Sequence, residues 1–200
     1  MTQNLGTRPV PSEANRWLKS YYFTRAAFSV AWVAAAFTLA HSMSGIVGAL
    51  LLIYPAWDAA ANLVDAQRNG GIKRNPTQLL NAVVSAVTTA AVGIALTVSM
   101  NAVLGVFGVW ATLSGLLQLA TGIRRRKGSG AQWPMILSGA QSTLVGIMFV
   151  YQANSAEIPN IAAIAPYAAF GAFYFLAAAL WLTVSEARRR KDLQLRSSAL

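Results

Sequence analysis

Asp58, Asn62 and Asp65 stand at i, i+4 and i+7 in the stretch LLIYPAWDAAANLVDAQR, residues 51–68. In a helix those positions share one face, and Tyr54 lies one turn further along the same side. Pro55 has no amide to donate, so the carbonyl of Leu51 loses its helical partner and a kink is invited. A carboxylate next to a kink in an apolar helix can bind a cation or carry a proton. It faces protein, a cavity or water rather than lipid. Asp65 falls where the apolar run ends, within i+3 reach of Arg68. Asp58 lies seven residues deeper, about 10 Å at the helical rise. The plainer reading is that Asp58 still reaches interfacial water and the stripe only joins two helices.

The chain that must position these groups has 200 residues, 56% hydrophobic and 11% charged. Soluble domains carry about 25% charged residues, and here the apolar residues come in long blocks, as in an integral membrane protein. Sixteen Lys+Arg against six Asp+Glu give a net charge of +10. In a soluble protein that balance would suggest nucleic acid. Here the cations sit between apolar blocks, which points to orientation and anionic headgroups, with no nucleic-acid partner. There is no cysteine and one histidine, His41. Thiol chemistry and a histidine-based metal cluster are therefore absent, and no cofactor is expected.

Six segments are long enough to cross a bilayer: 26–43, 45–64, 79–100, 102–123, 133–151 and 164–184. They lack the two-residue alternation of a membrane barrel, so they read as helices. Residues 1–25 form a basic and aromatic leading segment, 26–184 the membrane domain and 185–200 a basic tail. All sixteen cations fall before the first segment, after the second, after the fourth or after the sixth. The largest clusters are Arg124, Arg125, Arg126 and Lys127, and Arg188, Arg189, Arg190 and Lys191. The positive-inside rule then places both termini in the cytoplasm. A cleavable leader ending at TLA, 38–40, is the rival; its 25-residue polar lead is long for one.

The chain reads as one helical hairpin written three times in parallel. A shift of 56 places Ser29 on Ser85, Tyr54 on Trp110 and Arg68 on Arg124. VGI at 92–94 matches VGI at 145–147, and Ser85 matches Ser138. A shift of 64 puts RRRK at 124–127 on RRRK at 188–191, with Trp110 on Tyr174. The polar stripe then maps onto Ser114, Gln118 and Thr121, and next onto Ala178, Leu182 and Ser185. Small residues allow close packing where no hydrophobic force operates between helices. Ala34–Ala36, Ser85, Gly93, Ser138, Gly139 and Gly146 are accordingly expected on inner faces. Asn75-Pro76 fits a cap and first turn. Trp17, Tyr21, Tyr22, Trp133 and Trp181 fit an interfacial belt. Residues 11–25 fit either a surface helix or a simple flank.

QWPMILSG at 132–139, followed by Gly146, a short polar loop and an Ala-, Gly- and Phe-rich helix, resembles the HdeD-like family of bacterial inner-membrane proteins. The likeness is best over 79–184. It implies six spans built from short repeats, and a stress-associated role, since the family's best-known member is linked to acid resistance. It carries over no catalytic residue. The first expectation is thus a non-enzymatic inner-membrane protein acting in envelope or acid stress, alone, as a homo-oligomer or with a membrane partner. The alternative is a small transporter or channel using Tyr54, Pro55, Asp58, Asn62, Asp65 and Gln118. His41, near the outer end of the first span, titrates in the range a pH sensor needs. Glu157 reads as a solvated loop residue. No nucleophile–base pair suggests an enzyme.

Overall fold

The computed structural model describes residues 11–40, 44–125 and 132–197. Among them are six α-helices: α1 (Pro11–Thr38), α2 (Ser44–Arg68), α3 (Pro76–Ala95), α4 (Met100–Arg125), α5 (Gln132–Gln152) and α6 (Ala165–Ser197). Short 3-10 turns precede α3 and α6, and there is no strand among the described residues. Helices α2 to α6 are each long and apolar enough to cross a bilayer. Helix α1 carries Arg25 within its length, yet it runs beside α6. Lys19 pairs with Glu186 at 3.0 Å, Tyr22 stacks on Phe175, and Trp32 and Ala36 share one core with Ala165 and Ala168. The outward surface is apolar, with Val87, Ile94, Leu144 and Ile147 exposed, as a hydrocarbon surround requires.

Residues 11–25 make no separate surface helix; they are the opening turns of α1. Arg25 therefore lies inside the bundle and not on its flank. Tyr21 and Tyr22 also turn inward, whereas Trp133 and Trp181 are exposed.

Each helix packs on its neighbours in sequence, and α6 returns against α1 to close a ring. The closest pairs are α4 with α5, α1 with α6 and α2 with α3. They join one hairpin to the next, whereas α1 with α2 and α5 with α6 meet more loosely. Glycine explains the tightest pair. Gly108, Gly115 and Gly122 on α4 recur every seven residues and face Gly146, Gly139 and Ile136 on α5 respectively. A Cβ on Gly115 would lie 2.7 Å from the Gly139 carbonyl, and one on Gly139 2.7 Å from the Leu119 amide. Backbones this close gain dispersion along their whole length, the available attraction between helices in lipid. Ala34, by contrast, faces outward, while Ala36 is fully buried.

Between α2 and α3 the chain reverses through Gly70 (φ 98°) and Gly71 (φ 91°), backbone that a side chain would strain. The Gly71 amide returns to the Ala66 carbonyl at 3.0 Å, ending α2. Pro76 opens α3, but the Asn75 side chain does not cap it. Its amide instead donates to the carbonyls of Ala66, Asn69 and Gly71, fastening the two helix ends.

Candidate functional site

The bundle is two-layered along its axis. In the half away from the basic clusters, Leu51, Val92, Val103, Phe107, Ile161 and Ile164 make a dry core. In the basic half a polar cavity opens, and the rings of Tyr54, Trp110 and Tyr167 separate the two. Trp110 meets Tyr54 edge-on at 5.7 Å and Tyr167 at 6.1 Å. Helix α2 runs unbroken through buried Pro55. The carbonyl of Leu50, one residue before the one proline was expected to free, accepts the Trp32 indole N–H at 2.8 Å.

The cavity wall contains Tyr54, Asp58, Asn62, Asp65 and Gln118 together. It also contains Arg25, which charge counting had assigned to the cytoplasmic flank. Asp58 Oδ1 accepts from the Arg25 guanidinium. Asp58 Oδ2 accepts from Asn62 Nδ2 at 3.0 Å and from the Ser85 hydroxyl at 2.8 Å. Ser85 in turn accepts from Trp110 Nε1 at 2.9 Å. Both carboxylate oxygens are engaged, so the cation at Asp58 is the protein's own. Arg25 also donates to the Tyr21 hydroxyl at 3.0 Å and lies over the Phe175 ring, 4.3 Å from its centre. Such a pair is held against desolvation only because each member has further partners.

Asp65 accepts from Asn69 at 2.6 Å. Arg68, the expected i+3 partner of Asp65, sets its guanidinium 5.0 Å above the ring of Trp17 on α1. Among the described residues no three His, Asp or Glu side chains are grouped to hold a metal ion. His41, Arg126 and Lys127 lie outside the described residues. Arg124, Arg188 and Arg189 are exposed at the basic end. Arg125 ends α4, and Arg190 and Lys191 lie in α6.

The repeat predicts much of this wall. Ser29, Ser85 and Ser138 are all buried, and Ser114, Gln118 and Thr121 line the same cavity as the stripe they match. The third copy is corrected by two helical turns. Tyr167, not Tyr174, completes the ring cluster with Tyr54 and Trp110, and Gly171 and Phe175 face the cavity. Matching the two RRRK runs aligned helix ends. α6 extends further past the core than α4 does, so the packing faces repeat at a shift of 57, close to the 56 that relates the first two copies. Arg25 had a readable signal: a carboxylate about 10 Å deep needs a counter-charge at its own depth.

About 100 Å³ of the cavity is open to the centres of water molecules. About 10–15 Å³ of such space admits one water, so the cavity holds several waters or a solute of a few heavy atoms. Ser114 Oγ, Arg25 Nε, Trp57 Nε1 and Asn81 Oδ1, all on residues of the wall, have no protein partner. The arrangement can hydrogen-bond a small polar group.

Ring and cavity define a multi-pass membrane protein built around an internal polar cup. The family described as a short repeat of unknown function, DUF308, matches residues 80–151, from α3 to the end of α5. No curated protein and no solved structure matches the chain.

Proposed function

We propose that the protein is a non-enzymatic bacterial inner-membrane protein of HdeD-like type, with both termini in the cytoplasm, whose cup binds a small polar group. One observation carries this reading: a polar cavity whose charge pair is already balanced is lined by residues that carry unpartnered buried polar atoms. The DUF308 match agrees with the short-repeat architecture that the HdeD-like resemblance implies; the role in envelope or acid stress rests on that resemblance alone. The exposed arginines at the basic end suit anionic headgroups. A homo-oligomer or a membrane partner fits the same reading.

The absence of native cysteine makes the test clean. Ser114→Cys in sealed vesicles should react with a small, charged methanethiosulfonate applied to the cytoplasmic face. Leu113→Cys, on the exposed apolar side, should not. Protection of Ser114→Cys from the reagent on the cytoplasmic face would reject a cup open to that side.

Orientation has its own check. A reporter active only outside the cytoplasm should work after Asn101 and Asn154 and stay silent after Gly70. Activity after Gly70 would reverse the assignment.

A further inference from the structure

The four unpartnered polar atoms of the cup wall lie in one layer, and we propose that this layer binds a small uncharged solute carrying both an acceptor oxygen and N–H or O–H donors, of the amide or polyol kind. The proposal rests on the reading of the cup as a binding site. Tyr54 on α2 and Trp110 on α4 form the floor. Ser85 on α3 is bonded to Trp110, and Ser29 is its match on α1. One helical turn nearer the basic end stand Arg25 and Asn81, four residues before these serines, and Trp57 and Ser114, three and four residues after the rings. The layer is thus about 5–6 Å above the floor at the helical rise. Arg25 Nε, Trp57 Nε1, Asn81 Oδ1 and Ser114 Oγ are buried there without a protein partner.

Four helices supply these atoms, so they flank a space rather than run along one helix. Helix α6 leaves the room. Tyr167 completes the floor, and Gly171 then takes the position in the layer that Asp58 and Ser114 hold in the other two copies. A Cβ on Gly171 would already lie 3.7 Å from the Tyr54 hydroxyl. Trp57 is held in place by its stack on Phe28 at 4.5 Å, and Arg25 by Asp58 and Tyr21. Neither side chain has to be ordered on binding, which lowers the usual entropic cost.

Arg25 Nε and Trp57 Nε1 can only donate, Asn81 Oδ1 accepts, and the Ser114 hydroxyl does either. A carbonyl beside N–H groups, or neighbouring hydroxyls, meets donors and acceptor together. Charge selects against ions. Among the described residues the charges of the wall are Arg25, Asp58 and Asp65. An anion in the layer would lie against Asp58 and pass Asp65 on its way in. A cation would lie against the Arg25 guanidinium, and both Asp58 oxygens are already engaged. Either ion would bring a further charge to a buried pair, with its desolvation uncompensated. A neutral solute brings none.

The test compares acetamide, acetate and acetamidinium, which share one skeleton and differ in being neutral, negative and positive. The readout is the Trp57 indole N–H, followed by NMR on the full chain with isotope-labelled tryptophan and assigned by its loss in Trp57→Phe. Acetamide should move this signal along a saturable curve at millimolar concentration, and the two ions should not. The Trp17 indole N–H, unpartnered but outside the cup wall, should stay still throughout. Ser114→Ala should weaken acetamide about fivefold, the loss of one hydrogen bond. Gly171→Ala makes only an ordinary contact with Tyr54 and should weaken it about tenfold by taking space from the layer. Binding unmoved by both variants places the solute elsewhere and overturns the proposal. Equal saturation by acetate or acetamidinium overturns the uncharged assignment and leaves the cup a binding site. No shift from any of the three leaves the cup to water alone, and overturns this assignment together with the reading it rests on.

Discussion

Replacing Arg25 with leucine should destabilise the folded protein by about 3–5 kcal/mol, because it leaves the Asp58 carboxylate buried without its counter-charge. Asp58 is 8% exposed, so the few waters the cup admits make up only part of the lost guanidinium. Asp58→Leu should cost a similar amount, leaving Arg25 with Tyr21 and the Phe175 ring as its remaining partners. The double variant Arg25→Leu/Asp58→Leu should regain most of the loss, since paired burial of two charges is replaced by apolar contact. Unfolding of the four proteins in detergent forms a double-mutant cycle. Strict additivity of the two losses would show that the pair does not act as a unit. Asp58→Asn should fall between, because the amide still meets Ser85.

Leucine at Gly115 should prevent accumulation of folded protein. A single Cβ there would sit 2.7 Å from the Gly139 carbonyl, the Thr143 amide and the Thr143 hydroxyl, two of them backbone atoms that cannot swing away. Alanine at Gly115 should cost about 1–3 kcal/mol or more, the range for overpacking. Gly45 is the control: nothing lies within 4 Å of its added Cβ, so Gly45→Ala should be neutral or slightly stabilising through helix propensity. Yield of monodisperse protein on gel filtration reads the difference. Equal yields from Gly115→Leu and the parent would mean that α4 and α5 are not held by this seam.

The sequence makes the helices and the stripe legible for different reasons. Unbroken apolar runs mark α2 to α6 because lipid demands them, and Asp58, Asn62 and Asp65 reveal their shared face through spacing alone. Repeat matching extends the face to Ser114, Gln118 and Thr121. What stays hidden is set by packing. Arg25 stands at the edge of its apolar run and reads as a flank, since no local pattern tells where α1 begins relative to its neighbours. Tyr167 is missed because arginine runs mark where helices end, and α6 continues to Ser197. The preference for pairing between hairpins is likewise written in Gly115 and Gly139, which are far apart in sequence and meet only in the folded ring.

The dry layer beyond Trp110 also has an electrical meaning. If solvent fills the cup as far as that ring, the insulating thickness that supports a transmembrane voltage shrinks to the layer containing Leu51, Phe107 and Ile164. A charge arriving at Arg25 from the basic side has then crossed little of the field. Driving the same charge past Trp110 would meet nearly all of it, about 2.3 kcal/mol per 100 mV. Occupancy of the cup should thus be indifferent to whether the cell is energised, while passage beyond its floor would not be.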